Sequence, residues 1–200
     1  MALCTIGDRW AINSPLGVRK NCQFKTRRGM ISTIVITGLP GAGKTSLALA
    51  LAYHLLQRHP FVLHTDILKV TLGQFLPILR GVTTDDNFSA KQQFIYPYLQ
   101  AQADKAQRDG YLLIMEGTLA LGFRCDHCLA VVVNTPLALR RERIGRKHDS
   151  ARGITPDLPH YAQALQQSIT ADTLVLDGKC TIEQMVHTVQ TRLALPQTRK

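Results

Sequence analysis

The sequence predicts an α/β protein built on one parallel sheet with helices on both faces, and three observations carry that prediction. Short apolar, β-branched runs alternate five times with helix-forming segments of ten or more residues. The runs are apolar almost throughout rather than at every second residue, as in strands covered on both faces. The chain has 200 residues, 45% of them apolar, which is enough to bury the core of one domain.

The elements follow in order. Met30 to Thr37 (MISTIVIT) reads as the first strand, and residues 44–58 (KTSLALALAYHLLQR), rich in Ala and Leu, as the first helix. Phe61 to Thr65 is a second strand, closed by Asp66. From Ile67 to Arg80, the spacing of Ile67, Val70, Leu72, Phe75, Ile78 and Leu79 predicts one helix, or two pieces broken around Gly73 and Pro77. Gly81 to Asn87 is a loop, and Ser89 is the expected N-cap of a long helix ending near Gly110.

Tyr111 to Met115 is the third strand, Leu129 to Val133 the fourth and Thr173 to Leu176 the fifth. Between the last two lie a basic helix from Pro136, a polar stretch from Lys147 to Pro159 and a helix to about Ile169. A final helix spans Thr181 to Leu193. Right-handed crossovers put the carboxyl ends of all five strands on one edge, where open sheets of this kind bind ligands.

The formal charge is +10, and half of it falls in residues 1–29, where six basic residues (Arg9, Arg19, Lys20, Lys25, Arg27, Arg28) face only Asp8. The rest is unremarkable for a protein handling phosphorylated molecules, so the charge alone does not point to nucleic acid. The five cysteines are odd in number and no secretory signal is evident before them, which predicts free thiols in a reducing cytoplasm. The longest apolar-rich stretch, Leu47 to Leu56, is too short to cross a bilayer.

The most specific signal is Gly38-Leu39-Pro40-Gly41-Ala42-Gly43-Lys44-Thr45, which matches G-x-x-x-x-G-K-[ST] directly between a strand and a helix. Glycines let backbone N–H groups turn inward on a di- or triphosphate, and the helix start adds unpaired donors and its positive dipole end. The cradle of Gly38, Gly41, Ala42, Gly43, Lys44, Thr45 and Ser46 is therefore the candidate nucleotide site, with Lys44 on the β and γ phosphates and Thr45 on Mg²⁺.

From Met30 to Leu193, in order of elements and in its GLPGAGKTS cradle, the chain resembles the small P-loop kinases of the nucleoside and nucleotide kinase type. These include adenylate, shikimate, gluconate and adenylylsulfate kinases, chloramphenicol phosphotransferase and polynucleotide kinase. The resemblance implies a three-layer fold on a five-stranded parallel sheet of order 2-3-1-4-5, with a mobile basic lid around residues 136–158. It also implies ATP and Mg²⁺ as cofactors.

Three further positions match that family. Asp66, in HTDIL, stands where several of these kinases place the carboxylate that contacts the acceptor hydroxyl or acts as base. Glu116, in LLIMEGT, looks like the Walker B position, a metal-water ligand or acceptor contact, and its Glu-Gly is similar to uridine kinase relatives. LRRERIGRKHDSAR resembles the start of the lid, and Arg140, Arg141, Arg143, Arg146 and Arg152 supply cations for a loose phosphoryl transition state. Arg143 and Arg146 stand at the lid entrance in Arg-x-x-Arg spacing. Against these roles stand plainer ones: Asp66 as a helix cap, and the arginines as partners of surface carboxylates. Adenine is expected between the lid and the turn around Asp177 and Gly178.

No Asn-Lys-x-Asp element follows the fourth strand, which disfavours a GTPase, and an AAA-type motor needs more chain. Cys125-Asp126-His127-Cys128 has the spacing of half a zinc site but no second close pair, so it reads as two ordinary thiols. His64 reads as packing at a strand end. Phe88, Phe94, Tyr96 and Tyr98 lie on the acceptor side, residues 67–109, at a spacing more typical of helix packing than of substrate stacking.

Residues 1–29 are expected to be a dispensable basic extension, with a start at Met30, an RNA- or membrane-touching tail or a targeting peptide as alternatives. Residues 30–193 form the kinase domain and 194–200 a tail. The function expected is transfer of the γ-phosphoryl group of Mg·ATP to a hydroxyl or phosphate of a small metabolite in the cytoplasm. The alternatives are a polynucleotide- or tRNA-directed kinase and a non-catalytic ATP-binding switch.

Overall fold

The computed structural model describes residues 30–146 and 158–194. The expected basic extension 1–29, most of the polar stretch with Arg152, and residues 195–200 of the expected tail lie outside the described residues.

Five strands form one parallel sheet: β1 (Thr33–Thr37), β2 (Pro60–His64), β3 (Leu112–Glu116), β4 (Cys128–Asn134) and β5 (Leu174–Asp177). Their order is β2-β3-β1-β4-β5, as the family resemblance implied. The two-residue period of a strand explains why the runs hold consecutive apolar residues. Ile34 and Ile36 of β1, Leu112 and Ile114 of β3, and Leu129, Val131 and Val133 of β4 enter one core, whereas Val35, Leu113, Met115 and Val132 enter the other.

Helices complete the outer layers. α1 (Lys44–His54) and α6 (Ile182–Ala194) cover the first core with Leu47, Ala48, Leu51, Met185, Val186 and Val189. α3 (Phe88–Asp109) covers the second through Ile95, Leu99, Ala103 and Ala106, which recur at three- and four-residue steps on one face. Pro97 lies within α3 on the exposed side, where the ladder bond it removes is open to water. α5 (Pro159–Gln167) adds Tyr161 and Leu165 to the same core. α2 (Thr65–Gly73) follows β2 directly, and α4 (Leu137–Arg146) follows β4.

Three local expectations are corrected. α1 ends at His54, and residues 56–58 form a separate 3-10 turn closed by His59 at φ 48°. Ser89 is not an N-cap: α3 begins at Phe88, and Asn87 precedes it. The Asn87 side chain bonds back into the loop, accepting from Thr84 N at 3.0 Å and donating to Val82 O at 3.1 Å, so the loop sets where the helix starts. Asp66 does not close a strand but stands in the first turn of α2, where its charge suits the positive end of the helix. The break expected near Gly73 and Pro77 is present, with a 3-10 turn at Pro77–Leu79. Among the described residues no helix is long and apolar enough to cross a membrane.

Candidate functional site

The cradle joins the carboxyl end of β1 to α1. Gly41 has φ 78°, and a Cβ there would meet the Arg140 carbonyl oxygen at 2.7 Å, so backbone conformation and space both require glycine. At Gly38, with φ 151°, a Cβ would meet Val133 O at 2.6 Å.

The cradle carbonyls are bonded from behind. Tyr161 Oη donates to Gly38 O at 3.2 Å, Lys44 Nζ to Leu39 O at 3.2 Å and Arg140 Nη1 to Pro40 O at 3.4 Å. Ala42 O accepts from Thr135 Oγ1 at 3.1 Å and Arg143 Nη1 at 3.2 Å, and Gly43 O from Leu47 N at 3.0 Å. Ala42 N donates to Leu39 O at 3.1 Å within the loop; carbonyls engaged in this way fix its shape, and the amides at the start of α1 are the donors a helix end offers to an anion. Tyr161 is fully buried, and burial pushes its phenol pKa up, which keeps it a donor.

The cradle opens into a cavity of about 750 Å³ lined by Gly41, Gly43, Lys44, Thr45 and Ser46. Asp66 lines its far side together with Lys69, Thr83 and Thr118, and Arg143, Ile144 and Arg146 of α4 border it. Thus Lys44, Thr45, Ser46, Asp66, Arg143 and Arg146 share one space. Gly38 and Ala42, though in the loop, do not line it. The volume is in the range of small-molecule sites.

Glu116 is elsewhere. It ends β3 as the register partner of both Ile36 in β1 and His64 in β2, and its side chain is buried without lining the cavity. His64 Nδ1 lies 2.7 Å from Glu116 Oε1, so His64 is not mere strand-end packing, as the sequence suggested: its Nδ1–H donates to the carboxylate. Immediately beyond, Gly117 packs against Thr65, where a Cβ would meet Thr65 Oγ1 at 2.0 Å.

The arginines divide. Arg140 is buried, with Nε donating to Thr135 O at 3.1 Å, and is a brace of the cradle rather than a cavity cation. Arg143 lines the cavity while donating to Ala42 O and, at 2.9 Å, to Gly178 O. Arg146 is exposed and pairs with Glu142 one turn earlier. The turn after β5 does border the cavity, but through Cys180, Thr181 and Ile182 rather than Asp177 and Gly178. Gly178 is packed inward, where a Cβ would strike Thr135 Oγ1.

Sequence reasoning missed Lys69, Thr83, Thr118 and Tyr161. Lys69 had a signal, because three residues after Asp66 it shares a helix face. Its Nζ donates to Gly81 O at 3.0 Å, holding the loop whose Val82 and Thr83 line the cavity. Lys91, buried, donates to the carbonyls of Arg80, Gly81 and Val82 from the other side. Asp85 ties this loop to α5 by accepting from the backbone N–H groups of His160 and Tyr161. Of the four aromatic residues, Phe88 packs edge-on against Tyr161 and Tyr96 against Phe123, and none lines the cavity.

A 2-3-1-4-5 parallel sheet whose first strand runs through G-x-x-x-x-G-K-T into a helix defines a P-loop kinase-like protein. The family model for the Zeta toxin matches residues 19–129, more than half of the chain, and the chain belongs to that family. No curated protein matches the sequence. Two solved structures are similar at 20% identity. APE1195 has a TM-score of 0.52 over 82% of this chain and 95% of its own. A candidate kinase from Chloroflexus aurantiacus has a TM-score of 0.51 over 80% of this chain and 97% of its own. At that identity the likeness bears on the fold.

Proposed function

We propose that this protein is an ATP- and Mg²⁺-dependent phosphotransferase that moves the γ-phosphoryl group to a hydroxyl or phosphate of a small metabolite in the cytoplasm. The observation that carries this reading is that Asp66 and the cradle residues Lys44 and Thr45 line the same cavity. The donor set fits the cofactor: a loop in which a Cβ at Gly41 would clash, a nearly buried ammonium at its end and a hydroxyl next to it. Bound Mg·ATP supplies the transferable phosphoryl group and neutralises charge between its β and γ oxygens.

The chain's own residues would do the rest. Cradle amides and Lys44 would hold the phosphates and Thr45 the metal, whereas Glu116, paired with His64 and outside the cavity lining, ties the ends of β2 and β3 beneath the site. Asp66, the carboxylate in the cavity lining, would orient the acceptor hydroxyl and take its proton. Arg143 and Arg146, which border the cavity, would meet charge on the transferring oxygens.

The test is transfer from γ-labelled ATP into fractionated metabolites and, separately, total RNA, comparing the wild type with Lys44→Ala. Label in one small-molecule fraction, absent with the variant, is expected. Label in RNA alone replaces the acceptor class, and binding of Mg·ATP without transfer to either pool overturns catalysis.

A further inference from the structure

The Cys125-Asp126-His127-Cys128 segment lies at the amino end of β4, opposite the sheet edge that carries the cradle. Asp126 and His127 are the centre of a turn between the two cysteines. Such a turn keeps its first and fourth Cα atoms within about 7 Å, close to the separation a disulfide spans. His127 takes φ 57°, and its carbonyl accepts from Ser32 N at 2.9 Å and Thr33 N at 3.2 Å, which pins the turn to the start of β1. The two thiols act on each other, pushing Cys125 up and drawing Cys128 down.

Access and charge are also provided. Cys125 lines a polar cavity of about 270 Å³ together with Arg124, Asp104 and Asp126. Both cysteines are free thiols, and among the described residues no group of three side chains that could hold a metal ion converges.

We propose that Cys125 and Cys128 are a dithiol–disulfide pair that exchanges with small disulfides of the glutathione type reaching the turn beside this cavity, which Cys125 lines. Cys128, half-buried at the start of β4, is the attacking thiolate in this scheme: Cys125 and Arg124 beside it lower its thiol, and Cys128 in turn raises Cys125. Its sulfur attacks one sulfur of RS–SR; the Cys128 Sγ–S bond forms, the reagent's S–S bond breaks, and RS⁻ leaves and takes up a proton. Cys125 then loses its proton and attacks Cys128 Sγ, expelling the second RS⁻. Two protein thiols and one RS–SR become one protein disulfide and two RSH. The pair sits on the edge away from the cradle, so the inference stands independently of the proposed phosphotransfer.

The test equilibrates the full chain across ratios of reduced to oxidised glutathione, quenches with acid, alkylates and maps the peptides by mass. The expected result is an internal Cys125–Cys128 link, lighter by two hydrogens, that forms and reverses with a single midpoint while Cys180 is modified independently. Cys125→Ser is expected to accumulate glutathione on Cys128, and circular dichroism of that variant checks that it is folded. Two alkylated thiols at the most oxidising ratio in the folded wild type overturn the proposal. So does a wild-type product that stops at the mixed disulfide, or one that links either cysteine to Cys180 or to another chain.

Discussion

His64 Nδ1 donates a 2.7 Å hydrogen bond to Glu116 Oε1, and because the two residues are register partners, the bond ties together the carboxyl ends of β2 and β3. The Glu116 side chain is only 5% exposed, so its carboxylate depends on that donor. His64→Ala is expected to destabilise the protein by about 1–3 kcal/mol, the cost of leaving a buried charged group short of a partner. Glu116→Gln keeps an acceptor for the imidazole and should cost less. Urea midpoints at unchanged slope measure both; equal costs would mean that the charge on Glu116 is not what His64 serves.

Gly41 and Gly81 separate backbone strain from space. Both have positive φ, 78° and 72°, but a Cβ at Gly41 meets Arg140 O and Cα, whereas at Gly81 it meets nothing within 4 Å. Gly81→Ala should therefore cost only the left-handed penalty, about 1–2 kcal/mol. Gly41→Ala must also displace α4 from the cradle, and is expected to lose more stability and to abolish nucleotide binding. Thermal midpoints and calorimetric titration with an ATP analogue test the pair, and equal shifts with intact binding at Gly41→Ala would contradict the fit.

Tyr161→Phe removes one hydrogen bond while keeping the ring that packs edge-on against Phe88 at 5.2 Å between centroids. A stability loss of about 1 kcal/mol is expected. If Tyr161 also shapes the cradle by holding Gly38 O, nucleotide affinity should fall with it. A variant that is destabilised but binds nucleotide as before would limit Tyr161 to the core.

The sheet and the cradle were legible because each is written locally. TIVIT and LLIME carry consecutive apolar residues, IVI and LLIM, since both faces are covered, and G-x-x-x-x-G-K-T encodes its own backbone path. The partners of those elements were not legible, because they depend on register across the sheet. His64 and Glu116 are separated by 52 positions, and nothing in HTDIL indicates which strand end will lie beside it. Tyr161 and Gly38 are 123 apart. Ser89 misled because Ser is a good cap in isolation, whereas the Asn87 bonds to Thr84 and Val82 fix the helix start two residues earlier. The arginines misled for a different reason: composition counts cations but does not say which ones face backbone carbonyls.

That division among the arginines makes opposite predictions for Arg140 and Arg146. Arg140 is 5% exposed and donates to Thr135 O and Pro40 O, so Arg140→Met leaves cradle carbonyls without their donor. Hydrogen bonds to a charged group are worth about 1.5–3 kcal/mol, and a loss of at least that size is expected, with nucleotide binding weakened because the loop is no longer braced. The Arg146 side chain is 76% exposed, and its ion pair with Glu142 one turn away contributes about 0.5 kcal/mol at most. Arg146→Ala should leave the urea midpoint nearly unchanged. As a cation at the edge of the cavity its loss should instead appear in kcat, by tenfold or more on the order of one oxyanion contact. An Arg146→Ala protein with unaltered turnover would remove that residue from the proposed chemistry, and a stable Arg140→Met protein would show that the cradle holds its shape without α4.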